Sequence, residues 1–264
     1  MLKKRPAKRS PLKDKPLNLP GESLERQQSD LLEDKVFPLA MVALFAIVMA
    51  AIEWWRWYAQ IPPSPVSYTL LAAIVSVIFW YRWRKVLPEA KALWLGVQGE
   101  RLVGQELEEL RSHGCQVYHD LEGDGFNLDH VVVSRRGIVV IDTKTLRKPA
   151  DRDATITFDG ERILVDGREP DRDYLVQAAA ARRWLRNLLR ESTGRDFPIR
   201  SAIVFPGWFV QNQALKRNAE VWVFNHKALL KFIPNEPEVL LPSDVALVSH
   251  RIKLHIRDQA AKRT

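Results

Sequence analysis

The chain has 264 residues, with 40 Lys/Arg against 32 Asp/Glu, a formal net charge of +8 and one cysteine. That length allows one or two domains, and a single cysteine excludes an internal disulfide framework. Residues 1–90 carry 13 basic and 8 acidic side chains, so the folded remainder is only mildly basic and its charge alone is poor evidence for nucleic-acid binding.

In chain order, residues 1–35 are rich in Lys, Arg, Pro and Ser and lack an apolar period. That composition predicts a disordered basic tail on the cytoplasmic side. An uncharged run from Val36 to Ile52 follows, then Trp54, Trp55 and Trp57. A second apolar run spans Val66 to Tyr81 and is followed at once by Arg82, Arg84 and Lys85. A spanning helix needs roughly 20 residues, so residues 36–87 are expected to form a two-helix transmembrane hairpin, about 36–57 and 64–82. The Lys/Arg bias favours the leader and the exit over the connecting loop, where only Arg56 is basic. Both termini are therefore expected on the cytoplasmic side of the inner membrane. Pro88 is expected to close the membrane part, with a soluble domain over 90–258 and a short tail at 259–264.

From Trp94 the apolar spacing turns helical, through Leu95, Leu102, Val103, Leu107 and Leu110, and His113-Gly114 ends that helix. Strands are predicted over Cys115–Leu121, Phe126–Ser134 and Ile138–Leu146. A small hairpin follows, Thr155–Phe158 and Arg162–Val165, turning at Asp159-Gly160. A long helix is predicted from Tyr174 to Glu191, then strands Arg200–Phe205 and Glu220–Phe224, and a last helix capped by Ser243. The order helix, strands, helix, strands, helix predicts an α/β layer fold with a central mixed sheet flanked by helices.

Four residues carry the chemistry. Asp129 lies in Phe126-Asn-Leu-Asp-His-Val-Val-Val133, and Asp142 and Lys144 end Gly137-Ile-Val-Val-Ile-Asp-Thr-Lys144. Strand side chains alternate with period two, so Asp142 and Lys144 leave one face. Carboxylates on adjacent apolar strands are expensive to bury, and a hard divalent cation with carboxylate oxygen ligands offsets that cost. Such a cation stabilises charge on a phosphodiester under attack and activates a bound water. Glu100 shares a helical face with Val103, Gly104 and Leu107. Gly96, Gly99 and Gly104 are expected to let that helix approach the sheet. Gln177 lies near the inward face of the long helix. His130 is out of phase with Asp129 and is read as structural. Taken alone, Asp142 and Lys144 also fit an exposed ion pair of little energy.

Gly96-Val-Gln-Gly-Glu100, Asn127-Leu-Asp-His-Val-Val-Val133, Gly137-Ile-Val-Val-Ile-Asp-Thr-Lys144 and Gln177, in that order, resemble the nuclease-related domain (NERD) family of the PD-(D/E)xK nuclease superfamily. The resemblance covers about residues 95–225. It implies a restriction-endonuclease-like sheet, Asp129 and Asp142 as ligands for Mg²⁺ or Mn²⁺, Lys144 as the catalytic lysine, and Glu100 and Gln177 completing the site. Leu128 stands where the superfamily name has Pro, and Asp142 where the family more often has Glu. The expected function is membrane-anchored, metal-dependent hydrolysis of DNA or RNA in the cytoplasm. The alternative is a tethered binding or scaffold module that has lost turnover. On the nuclease reading, Arg135, Arg136, Arg147, Lys148, Arg183, Arg186 and Arg190 are expected to contact the phosphate backbone. Trp208 and Phe209 are read first as packing or loop-anchoring residues, with base stacking as the alternative.

Overall fold

A computed structural model describes residues 19–60, 65–123, 125–149, 154–213 and 220–262. The chain divides into two units, Glu22–Gln98 on one hand and Met1–Gly21 with Gly99–Thr264 on the other.

In the first unit, α1 (Glu22–Leu31) passes through a π turn (Leu32–Val36) into α2 (Phe37–Tyr58). The expected disordered tail is thus helical from Glu22, and its first 18 residues lie outside the described residues. Among the described residues one helix, Glu22–Tyr58, is long and apolar enough to cross a membrane. Its large apolar side chains, including Phe37, Met41, Phe45 and Trp55, are exposed. The next helix, α3 (Pro65–Glu108), supplies no second span among the described residues. Its apolar run is shorter, is interrupted by Ser67, Tyr68, Thr69 and Ser76, and meets Arg82 before a full span is complete. The two-span hairpin is therefore corrected to one candidate helix; the prolines expected in its loop, Pro62 and Pro63, lie outside the described residues. Pro88 does not end the helix, which runs through it. The boundary between the units falls at Gln98/Gly99.

The second unit begins with the last turns of α3, a 3-10 turn (Glu109–His113) and Gly114, whose φ of 78° closes the helix in the left-handed region. Five strands make its main sheet in the order β1-β2-β3-β6-β8: β1 (Gln116–Glu122), β2 (Asn127–Ser134), β3 (Gly137–Thr143), β6 (Ile199–Val204) and β8 (Val221–Phe224). The first three pair antiparallel, while β6 joins β3 and β8 joins β6 in parallel. The sheet is mixed, as expected. Val131-Val-Val133 and Ile138-Val-Val-Ile141 are β-branched and buried on both faces, which marks central strands. Each such side chain contributes about 1.5–3 kcal/mol on burial.

Helices α4 (Tyr174–Thr193) and α6 (Pro242–Lys262) cover one face, where Val131, Val133, Ile138 and Val140 meet Leu185, Leu189, Val248 and Ile252. The end of α3 and α5 (His226–Phe232) cover the other, where Val132, Val139 and Ile141 meet Val103, Leu107, Leu110 and Leu229. Asp173 caps α4 by accepting from Leu175 N and Val176 N at 2.9 and 3.1 Å. The hairpin at Asp159-Gly160 forms as expected, β4 (Thr155–Phe158) against β5 (Ile163–Val165). It gains a third, parallel strand, β7 (Phe209–Asn212), which the sequence pattern does not signal.

Candidate active site

The acids gather because of strand register. β1 and β2 pair His119 with His130, and β2 and β3 pair His130 with Ile141. One step along, the same registers set Asp120, Asp129 and Asp142 in a single row across three strands. This row lies at the end of β3, where Lys144 N donates to Val204 O at 2.8 Å and keeps the chain on β6. Thr143 N donates to Asp129 Oδ2 at 2.6 Å, so the carboxylate replaces a ladder partner at that point. Lys144 Nζ sits 2.8 Å from Asp142 Oδ2 and 5.2 Å from the centre of the Tyr174 ring, a cation–π contact from the first turn of α4.

Glu100 enters from α3 and is 6% exposed. Gly99, just before it, lies so close to Thr145 that any Cβ would collide with the threonine side chain. This is the one glycine of the three that brings the helix onto the end of β3. Gly104 instead accommodates Pro20, and Gly96 accommodates Leu24.

The electrostatics follow from crowding. Burial pushes the Glu100 carboxyl up to about 9, and repulsion from Asp129, Asp120 and Asp142 adds to it, with Lys144 opposing. Burial likewise raises Asp129 to about 8, helped by Asp142 and Asp120 and opposed by the Thr143 N–H and the Lys144 ammonium. Four carboxyls and one ammonium therefore feel each other strongly. Among the described residues, no three of His, Cys, Asp and Glu already stand in one ligand shell. Asp142 Oδ2 is buried and makes no aligned hydrogen bond, its close neighbour being the Lys144 ammonium. Two part-buried acids, Asp129 and Asp142, and two buried ones, Glu100 and Asp120, are an all-oxygen donor set, which suits a hard divalent cation.

Residues 95–206 match the nuclease-related domain (NERD) family. The matched stretch runs from the turn before Glu100 to just past β6, and includes the whole acid row, Lys144 and Gln177. No curated protein and no solved structure matches the chain. The mixed sheet flanked by helices is consistent with a nuclease fold.

Of the residues expected at the site, Glu100, Asp129, Asp142 and Lys144 come together. Gln177 is half-buried, one turn along α4 from Tyr174. Asp120 is the residue the sequence reading missed. It is 1% exposed, has φ 50° and accepts a hydrogen bond from Asn127 Nδ2 at 2.9 Å. The signal that finds it is symmetry: a hairpin turning about residues 123–126 sets position 120 opposite 129. His130 is buried on the other face, as its phase predicts, with Nδ1 2.9 Å from His119 Nδ1.

The basic residues do not converge. Arg135 and Arg136 occupy the β2–β3 turn, about 20 Å along the strand from Asp129, and Arg135 is paired with Glu238 at 2.7 Å. α4 leads away from the site, since Ala178 O accepts from Ser201 Oγ and Leu189 reaches the core around Ile138 and Ile199. Arg183, Arg186 and Arg190 are therefore about 14, 18 and 24 Å along its axis from Tyr174, and Arg186 lies 3.6 Å from Asp196. Arg147 and Lys148 alone are both exposed and near Lys144 in the chain.

Proposed function

We propose that this chain is a membrane-anchored, metal-dependent nuclease that hydrolyses phosphodiester bonds of DNA or RNA. The observation that carries the reading is the register row of Asp120, Asp129 and Asp142 beside Glu100 and Lys144, within a stretch that matches a nuclease-related family. Asp129 and Asp142 would hold Mg²⁺ or Mn²⁺. A bound divalent ion supplies charge stabilisation and a more acidic water. Lys144 brings a cation beside Asp142, within reach of a phosphate oxygen, and the Tyr174 ring steadies it. Glu100, with its raised proton affinity, holds a proton at its carboxyl near neutral pH. Gln177 is suited to orient a phosphate through its amide.

The Glu22–Tyr58 helix supplies the anchor. Cysteine labelling of positions on either side of this helix from outside the cell tests on which side of the membrane the acid row lies. A second reading, a tethered binding module without turnover, draws support from the Asp142–Lys144 ion pair, which occupies a ligand oxygen.

The test uses the full chain in detergent micelles with Mg²⁺ or Mn²⁺ and labelled single- and double-stranded DNA and RNA. Cleavage by the wild type and its loss in Lys144→Ala support the nuclease. Metal binding without any cleavage favours the second reading, and equal cleavage by Lys144→Ala contradicts the assignment of that lysine.

A further inference from the structure

Several arginines of the second unit already have acidic partners. Arg135 pairs with Glu238, Arg182 with Glu220, Arg195 with Asp244 and Arg200 with Glu236, all within 2.7 Å. Arg147 and Lys148 are not among these, and they stand nearest in the chain to the acid row. They follow Lys144 by three and four residues, are exposed, and have no ion-pair partner among the described residues. Exposed cations of this kind can each neutralise one phosphate.

The same corner carries an aromatic ring. After β6, the chain turns at Gly207, whose φ is 75°, and Trp208 N bonds back to Phe205 O. Trp208 is buried and its indole N–H donates to Leu146 O at 3.3 Å. That bond ties the start of β7 to the residue before Arg147. Phe209, the next residue, is 59% exposed. It begins an edge strand whose register pairs Phe209 with Thr155 and Gln211 with Thr157. Strand alternation places all four on one face of the small sheet. Val210, by contrast, packs inward with the cluster around Ile156 and Trp208.

We propose that Phe209, Arg147 and Lys148 form a rim beside the acid row that receives single-stranded nucleic acid, with a base stacked on Phe209 and phosphates on the two cations. This deepens the nuclease reading and rests on it for the reaction, but binding is measured separately. An exposed aromatic offers stacking only to a base that is not already paired, so the rim selects single strands over duplex. Phosphate contacts carry no sequence information, and one stacked base carries little, so the preference is for strandedness rather than sequence.

The experiment measures fluorescence anisotropy of a labelled 20-mer, single-stranded and duplex, with the full Lys144→Ala chain in detergent, so that cleavage does not intervene. The single strand is expected to bind more tightly. Phe209→Ala should weaken single-strand binding about tenfold and leave duplex binding unchanged, while Phe209→Trp should retain it. The Arg147→Ala/Lys148→Ala pair should flatten the salt dependence of single-strand binding by a slope of about 1.4. Tighter binding of duplex, unchanged binding by Phe209→Ala, or no binding of either form would overturn the rim. Expected binding by the rim without cleavage by the wild type would leave the rim standing and remove the hydrolase. Cleavage by the wild type with Phe209→Ala binding like its parent would do the reverse.

Discussion

Two polar rows cross the same strands one residue apart and have opposite fates. His119 and His130 lie on one face, Asp120, Asp129 and Asp142 on the other. The histidines form a chain that ends near the surface: Nδ1 faces Nδ1 at 2.9 Å, and His119 Nε2 meets Glu108 Oε1 at 2.9 Å. Burial lowers the proton affinity of both rings, so the pair is neutral and costs little to keep inside. The acids have no such exit. Burial and mutual repulsion raise the proton affinities of Glu100 and Asp129. His130 Nε2 has no hydrogen-bond partner, so the rows differ in charge rather than in satisfaction: neutral rings can stay inside the fold, whereas buried acids under mutual repulsion are suited to a ligand.

The comparison breaks first on activity. Lys144→Ala and Asp142→Asn should each lower cleavage by roughly 10²–10³-fold or more, and His130→Ala should leave the metal requirement unchanged. Stability should show the reverse. His130→Ala leaves a cavity and an unpaired His119 Nδ1, at a cost of about 2–4 kcal/mol in chemical denaturation. Glu100→Gln should instead stabilise the metal-free protein at pH 8 by roughly 1–3 kcal/mol, because it removes a carboxyl that is costly to ionise.

The pH dependence sharpens the contrast. Glu100 binds its proton more tightly folded, with a value raised to about 9, than unfolded, near the ordinary 4.5. Its contribution is complete below the unfolded value and is lost as pH rises through the folded one. The metal-free wild type should therefore lose stability between about pH 5 and pH 9, and Glu100→Gln should flatten that loss. The sign would be wrong if thermal midpoints rose across this range. A smaller effect is expected at Gly99→Ala, about 1–3 kcal/mol from the collision with Thr145, with weaker metal binding because Glu100 is displaced. Smallest of all, Arg190→Ala should change nucleic-acid binding by less than about twofold, since it stands far along α4.

Much of this site was legible in the sequence because strand parity is a strict rule. Period two is enough to pair Asp142 with Lys144 and to send His130 away from Asp129. Helical spacing likewise finds Glu100 on the face of Val103 and Leu107. Asp120 was not legible in that way, because its place depends on the register of a hairpin and on a left-handed backbone at φ 50°. β7 escaped because four residues with alternating exposure carry little pattern. Pro88 misled as a helix stop, since a proline within a long helix need not end it. The basic residues were the least legible: strand and helix geometry carry Arg135 and Arg190 about 20 Å or more from the acid row, a spread that sequence order does not show.

The most direct test of the acid row is calorimetric titration of the full chain with Mn²⁺ at pH 7.5 in buffers of different ionisation enthalpy. Carboxyls that hold protons in the metal-free site must release them when a cation binds, so the wild type should bind with net proton release, and Glu100→Gln should release less. Binding with no proton release, or equal Mn²⁺ affinity in wild type and Asp129→Asn/Asp142→Asn, would contradict a metal site built on this row.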